Sequence, residues 1–94
     1  MPWRVELGSD ASRRVRRLTG ETRERIERAV TALAVDPRRP GKAIKAIEGR
    51  HDRFLRLRAG DHRILHEVDD ARHVVLIEGI VPRKDLNKWL RSKR

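Results

Sequence analysis

Apolar positions recur with two different periods along this chain, and the switches between them mark its elements. Trp3, Val5 and Leu7 alternate with Arg4 and Glu6, which predicts a short half-buried strand. Gly8-Ser9-Asp10 supplies a turn and an N-cap candidate. Ala11, Val15 and Leu18 then form one stripe of a helix whose other face is Arg13, Arg14, Arg16 and Arg17. Thr19-Gly20 breaks that helix. Ile26, Val30 and Leu33 repeat the stripe in a second helix from about Glu21 to Ala34, completing a helical hairpin. Asp36 to Gly41, with two prolines, cannot continue a helix and reads as loop. Ala43 to Ile47 is ambiguous, and Gly49 to Asp52 is a turn.

The next stretch has the period of strands. Leu55 and Leu57 alternate with Phe54, Arg56 and Arg58 up to a turn at Gly60-Asp61. His62, Ile64, His66 and Val68 alternate with Arg63, Leu65 and Glu67 up to a turn at 69–72. His73 to Val81 is apolar on both faces, as a central strand is. Pro82 stops the ladder, and Asp85 to about Lys93 predicts a last helix with Leu86, Trp89 and Leu90 on one side. The expected fold class is α+β, in the order strand, helix, helix, three antiparallel strands, helix. The helical hairpin packs on one face of a small, mainly antiparallel sheet, in one domain over residues 1–94.

Composition narrows the function. Hydrophobic residues make up 37% of the 94 positions, enough for one thin core. With no cysteine, disulfides and thiolate metal sites are excluded. The longest aliphatic run, Val74 to Ile77, is far short of a membrane span, and Met1 to Arg4 has no secretion-signal character. The expectation is a cytoplasmic protein without membrane attachment. Lys and Arg number 24 against 14 Asp and Glu, giving a net charge of +10. Such a charge predicts a nucleic-acid, anionic-surface or acidic-protein partner. The excess is densest in residues 50–63 and 82–94.

Alternation gives the first of those segments a chemical consequence. If Leu55 and Leu57 face the core, Arg56 and Arg58 face the other way, about 7 Å apart. Arg63 reaches the same face from the next strand, and Arg83 emerges where the last strand ends. Four guanidinium groups thus converge on one concave, helix-free side of the sheet. Unpaired like charges at that spacing cost free energy, and an RNA phosphate would relieve the cost. The alternative is neutralisation by Asp61, Glu67 and Glu78 as a surface ion-pair network.

Phe54 to Asp69, with its Arg-Leu-Arg-Ala-Gly-Asp-x-Arg string, resembles the central motif of the RelE/ParE toxin superfamily. So do the Asp36-Pro37-Arg38 loop after the hairpin and the Arg83-Lys84-Asp85 segment downstream. The resemblance implies a RelE-like fold and a toxin of a bacterial type II toxin–antitoxin pair. For the RelE branch it implies an endoribonuclease that enters the ribosomal A site and cleaves mRNA without a metal or other cofactor. There the ribose 2′-oxygen attacks the adjacent phosphate. By the same resemblance Arg56 is a basic active-site position, Arg63 contacts the scissile phosphate, and Arg83 belongs to the final motif. Arg58 matches a basic position beside them, and Arg53, Lys84 and Lys88, from the two basic segments, are expected to bind RNA with it. The implied partners are an acidic antitoxin, the ribosome and mRNA, with operator DNA reached only through the antitoxin.

The chain departs from the RelE pattern in having no Tyr, the residue that commonly serves as general base near the carboxy terminus. His51, Asp85, Glu78 and Lys84 remain as base candidates, with His51 preferred for its intrinsic pKa. His62 and His66 share a strand face but stand roughly 13 Å apart, too far to hold one metal ion, and read as core residues. His73 reads as a surface residue beside a turn. Two other readings of the resemblance stay open: a ParE-type inhibitor of DNA gyrase, and an inactive relative that only binds its antitoxin.

Overall fold

The computed structural model describes residues 2–93, so Met1 and Arg94, the end of the basic tail, lie outside the described residues. The chain runs β1 (Arg4–Leu7), α1 (Ser9–Arg17), α2 (Gly20–Val35), β2 (Ile44–Ala46), β3 (Leu55–Ala59), β4 (His62–Asp69), β5 (Val74–Pro82) and α3 (Leu86–Arg91). Short 3-10 turns at Gly49–His51 and Arg83–Asp85 lead into β3 and α3. The sheet order is β1-β5-β4-β3-β2; β1 runs parallel to β5 and every other pair is antiparallel. No helix among the described residues is long and apolar enough to cross a membrane.

The helix stripes pack as their spacing predicts. Ala11, Leu18, Ile26 and Leu33 are buried against Leu57, Ile64, Val75, Ile77 and Ile80 of the sheet. Their alternating neighbours are thereby turned to the opposite face. α1 lies chiefly against β5, whereas α2 bridges β1 and β3.

The structure resolves one ambiguous segment and corrects one expectation. The ambiguous Ala43–Ile47 segment contains β2, a fifth strand paired to β3 with Ile44 opposite Leu57. Ile44 and Ile47 are three apart, a spacing that fits a helix as well as a strand end, so pairing decides the outcome rather than periodicity. The second sheet face is not helix-free, because α3 packs on it. Trp89 lies directly over Gly79: a Cβ at that glycine would come within 2.6 Å of the indole. The indole also meets the edge of Phe54 at 5.3 Å between ring centroids. Phe54 and Leu65 are fully buried on this face, giving the protein a second, smaller core.

His66 occupies the helix-side core with no exposure, and its Nε2–H donates to the Pro37 carbonyl at 3.0 Å. Burial holds its pKa below the ordinary value of 6.5, and burial does the same at His62, aided there by Arg14. The unfolded chain therefore binds more protons near pH 6 than the folded one. Stability is complete above the unfolded pKa and is lost as pH falls below it. The melting midpoint is expected to drop between about pH 7.5 and pH 5.5. Circular dichroism melts across that window check this, and His66→Phe must show a shallower slope whatever its absolute midpoint.

Candidate nucleic-acid interface

Strand pairing lays out the cationic surface in two rows. Arg58 stands directly opposite Arg63, whose other neighbour is Val81. One pleat along β3, Arg56 stands between Lys45 of β2 and Leu65 of β4. Arg83 joins from the end of β5, where its backbone N–H donates to the Asp61 carbonyl at 2.7 Å. That bond pins Arg83 to the β3–β4 turn, beside Arg63.

Arg63 is the least exposed of the set, at 7%. Its Nη1 donates to the carbonyls of Gly60 and His62, each at 3.0 Å, so the guanidinium is held by turn backbone rather than by a carboxylate. Burial is the main influence pulling its pKa below the usual arginine value, followed by the positive charges of Arg83, Arg56 and Arg58. Asp61 acts weakly the other way. Among the described residues no ion pair joins Arg56, Arg58, Arg63 or Arg83 to a carboxylate. The neutralising network left open above therefore does not form on these four. Glu67 pairs instead with Arg53 at 3.4 Å. Its pKa is pushed up by burial and then by the neighbouring Glu78 charge.

The remaining candidates are spread around α3. A groove of about 530 Å³ runs between β2 and α3, lined by Lys45, Glu48, Arg56, Leu86, Asn87 and Leu90. His51 lines the adjoining groove with Arg50 and Arg91, and Asn87 and Leu90 border both. His51 is only 8% exposed, its Nδ1 has no hydrogen-bond partner among the described residues, and its ring sits 6.2 Å from the Phe54 ring. Lys84 and Lys88 are exposed and Asp85 half-buried. Arg53 is drawn off the cluster: its guanidinium stacks on Phe54 at 4.3 Å and pairs with Glu67. Lys45 is the residue that sequence reasoning passed over. Its signal was there, a basic position alternating between Ile44 and Ala46, but it carries meaning only once β2 is known to pair with β3. Among the described residues no three His, Asp or Glu side chains come together as a metal site.

The arrangement is an unneutralised cationic surface with one rigidly held guanidinium at its centre. Like charges directly across a strand pair cost about 0.2–1 kcal/mol. Removing the exposed member is expected to stabilise the protein: Arg58→Gln raises the melting midpoint at low salt by about 1–8 °C. Phosphate is expected to raise the wild-type midpoint more than chloride at equal ionic strength, and Arg58→Gln to blunt that difference. Differential scanning fluorimetry in the two salts measures both.

A family model described as ParE toxin of type II toxin-antitoxin system, parDE, matches residues 6–87. No curated protein matches the sequence. Among solved structures, the archaeal RelE-RelB complex from Pyrococcus horikoshii OT3 is similar at 24% identity and a TM-score of 0.72, over 88% of this chain and 97% of that one. The toxin-antitoxin complex RelBE2 from Mycobacterium tuberculosis is similar at 26% identity and a TM-score of 0.64, over 88% of this chain and 100% of that one. A YoeB/ParE toxin from Agrobacterium tumefaciens aligns with a TM-score of 0.73 at 11% identity, over 84% of this chain and 96% of that one.

Proposed function

The chain belongs to the ParE toxin family of type II toxin–antitoxin systems, and on that premise we propose that it is a RelE-like endoribonuclease acting on mRNA at the ribosome. The observation that carries the reading is the Arg56, Arg58, Arg63 and Arg83 cluster, which has no ion-paired carboxylate among the described residues. In this mechanism a ribose 2′-oxygen forms a bond to the adjacent phosphorus while the bond from phosphorus to the 5′-oxygen breaks. The products are a 2′,3′-cyclic phosphate and a 5′-hydroxyl end, the departing 5′-oxygen taking its proton from solvent. Negative charge builds on the phosphoryl oxygens in between, and fixed guanidinium donors stabilise it. Arg63 is suited to the scissile phosphate because its turn hydrogen bonds hold it in place before substrate arrives. Arg56 and Arg83 flank it, and Arg58 and Lys45 take neighbouring phosphates. His51 is assigned the 2′-hydroxyl proton, being the imidazole that lines a groove beside Arg56.

A ParE-type reading, gyrase inhibition without cleavage, has its own support. The matching family model bears that name, the chain has no Tyr, and His51 is largely enclosed. Primer extension on a defined mRNA in a cell-free translation reaction separates the two. The nuclease reading expects new 3′ ends at the ribosomal A site that vanish when ribosomes are omitted. Arg63→Ala or Arg83→Ala should each slow their appearance about 10²–10³-fold. Intact mRNA from folded protein, together with inhibited DNA supercoiling, would establish the gyrase reading instead.

The proposed regulator is an acidic antitoxin that neutralises the cluster. The core is thin and the net charge is +10. A partner that binds only the folded state stabilises it by mass action, by about 2.7 kcal/mol at a hundredfold excess over Kd. The melting midpoint is expected to rise clearly on adding antitoxin, and an unchanged midpoint at saturation would count against the pairing.

A further inference from the structure

The sheet cluster does not end at Arg83. On the far side of β5 a smaller cleft of about 190 Å³ opens between α1 and α3. Its floor is apolar: Ile80, Val81 and Trp89. Its wall is Arg13, Arg14 and Arg17 of α1, with Asp10 at one end. Asp10 is already taken. It accepts from Arg13 and from Lys93, each at 2.5 Å, and the Lys93 bond holds its pKa below the usual carboxylate range. Arg14 and Arg17 form no ion pair with any carboxylate among the described residues.

We infer that this α1 cleft is a second nucleotide subsite, which holds the backbone of single-stranded RNA next to the cluster that faces the scissile phosphate. Three observations carry the inference. Val81 is shared: it stands opposite Arg63 in the β4–β5 ladder and also floors the cleft, so the two cationic surfaces meet across one strand. Strand spacing is about 4.8 Å, which places the surfaces within the reach of adjacent nucleotides. The cleft also combines an aliphatic floor, Ile80 and Val81, bordered by an indole that Lys93 already covers at 4.5 Å, with the guanidinium groups of Arg14 and Arg17, which have no ion pair among the described residues; this is the chemistry of a clamped phosphate with the apolar side of its nucleotide laid against the strand. Its volume is below the roughly 300 Å³ at which drug-sized pockets begin, so it admits a base more readily than a peptide helix. Arg25 extends the same positive edge: it lies against Gly60, and like Arg14 it acts on His62.

The inference rests on the RNA-directed reading but not on cleavage, so binding tests it. The probe is a short 2′-O-methyl RNA, which cannot be cut, followed by fluorescence anisotropy over a salt series. Wild type is compared with Arg14→Gln/Arg17→Gln, with Arg56→Gln/Arg58→Gln, and with the remote charge control Arg28→Gln/Arg39→Gln. Each phosphate contact on a single strand contributes about 0.7 to the slope of log affinity against log salt. The α1 pair is expected to flatten the slope by about 1.4 and to weaken binding by about tenfold near physiological salt. Arg14→Lys/Arg17→Lys should recover most of the slope, since it keeps the charges. The remote pair should change neither beyond a small net-charge effect.

An α1 pair indistinguishable from the remote pair, while the sheet pair weakens binding, overturns the subsite and leaves the nuclease reading standing. If wild type shows no salt-dependent RNA binding, the subsite falls, while the ribosome-dependent nuclease reading is decided separately by primer extension. If the α1 pair leaves RNA binding intact but weakens an acidic antitoxin, the cleft belongs to the protein partner and the inference is wrong.

Discussion

The site depends on one constraint, the period-two alternation of the β3–β4 hairpin. Leu57 and Ile64 stand opposite one another and are buried beneath the helices, so Arg56, Arg58 and Arg63 have no other face to occupy. A register slip of one residue would drive three guanidinium groups into the helix-side core, where unpaired charge is prohibitively costly. Apolar burial therefore fixes the cationic face indirectly. The turn closes the arrangement: its carbonyls hold Arg63 and its Asp61 carbonyl holds the amide of Arg83.

The second face is divided by α3. At six residues the helix is too short to persist alone, so its seat is set by packing. Trp89 fills the space that Gly79 leaves open and braces against Phe54. Lys93 lies over the indole at 4.5 Å and reaches Asp10 at the start of α1. These contacts turn one sheet face into an apolar half under α3 and a cationic half beside it. They also form the wall between the groove at Arg56 and the cleft at Arg14.

How much of this was legible in the sequence depends on the range of the interaction concerned. The stripes of α1 and α2, the alternation of β3 and β4 and the core role of His66 are local patterns, and they hold. β2 was not legible, because three residues do not establish a period and the deciding information lies in Leu57 of another strand. Lys45 was lost with it. The seat of α3 was not legible either. Gly79 reads as a glycine within an apolar run until an indole is placed above it. Arg53 was assigned to RNA on charge alone, yet Phe54 and Glu67 claim its guanidinium, and that follows from which side chains share a face.

The cluster itself makes sense as stability given up for binding. Arg63 is enclosed and surrounded by like charge that Asp61 opposes only weakly, and among the described residues Arg56, Arg58 and Arg83 have no ion-paired carboxylate. In such a partly desolvated setting an anion interacts more strongly than at an open surface, because less water screens it. The repulsion also works in the ligand's favour, since binding an anion removes a cost already present in the free protein. A neutralising network with Glu67 and Asp61 would have made the fold more stable and the surface less able to bind phosphate. Glu67 is instead tied to Arg53, one pleat beyond the buried Leu65, and so does not pair with the four arginines. On the proposed reading, the same unrelieved charge suits an acidic partner to compete with the phosphate, because a carboxylate laid on this face relieves the same repulsion.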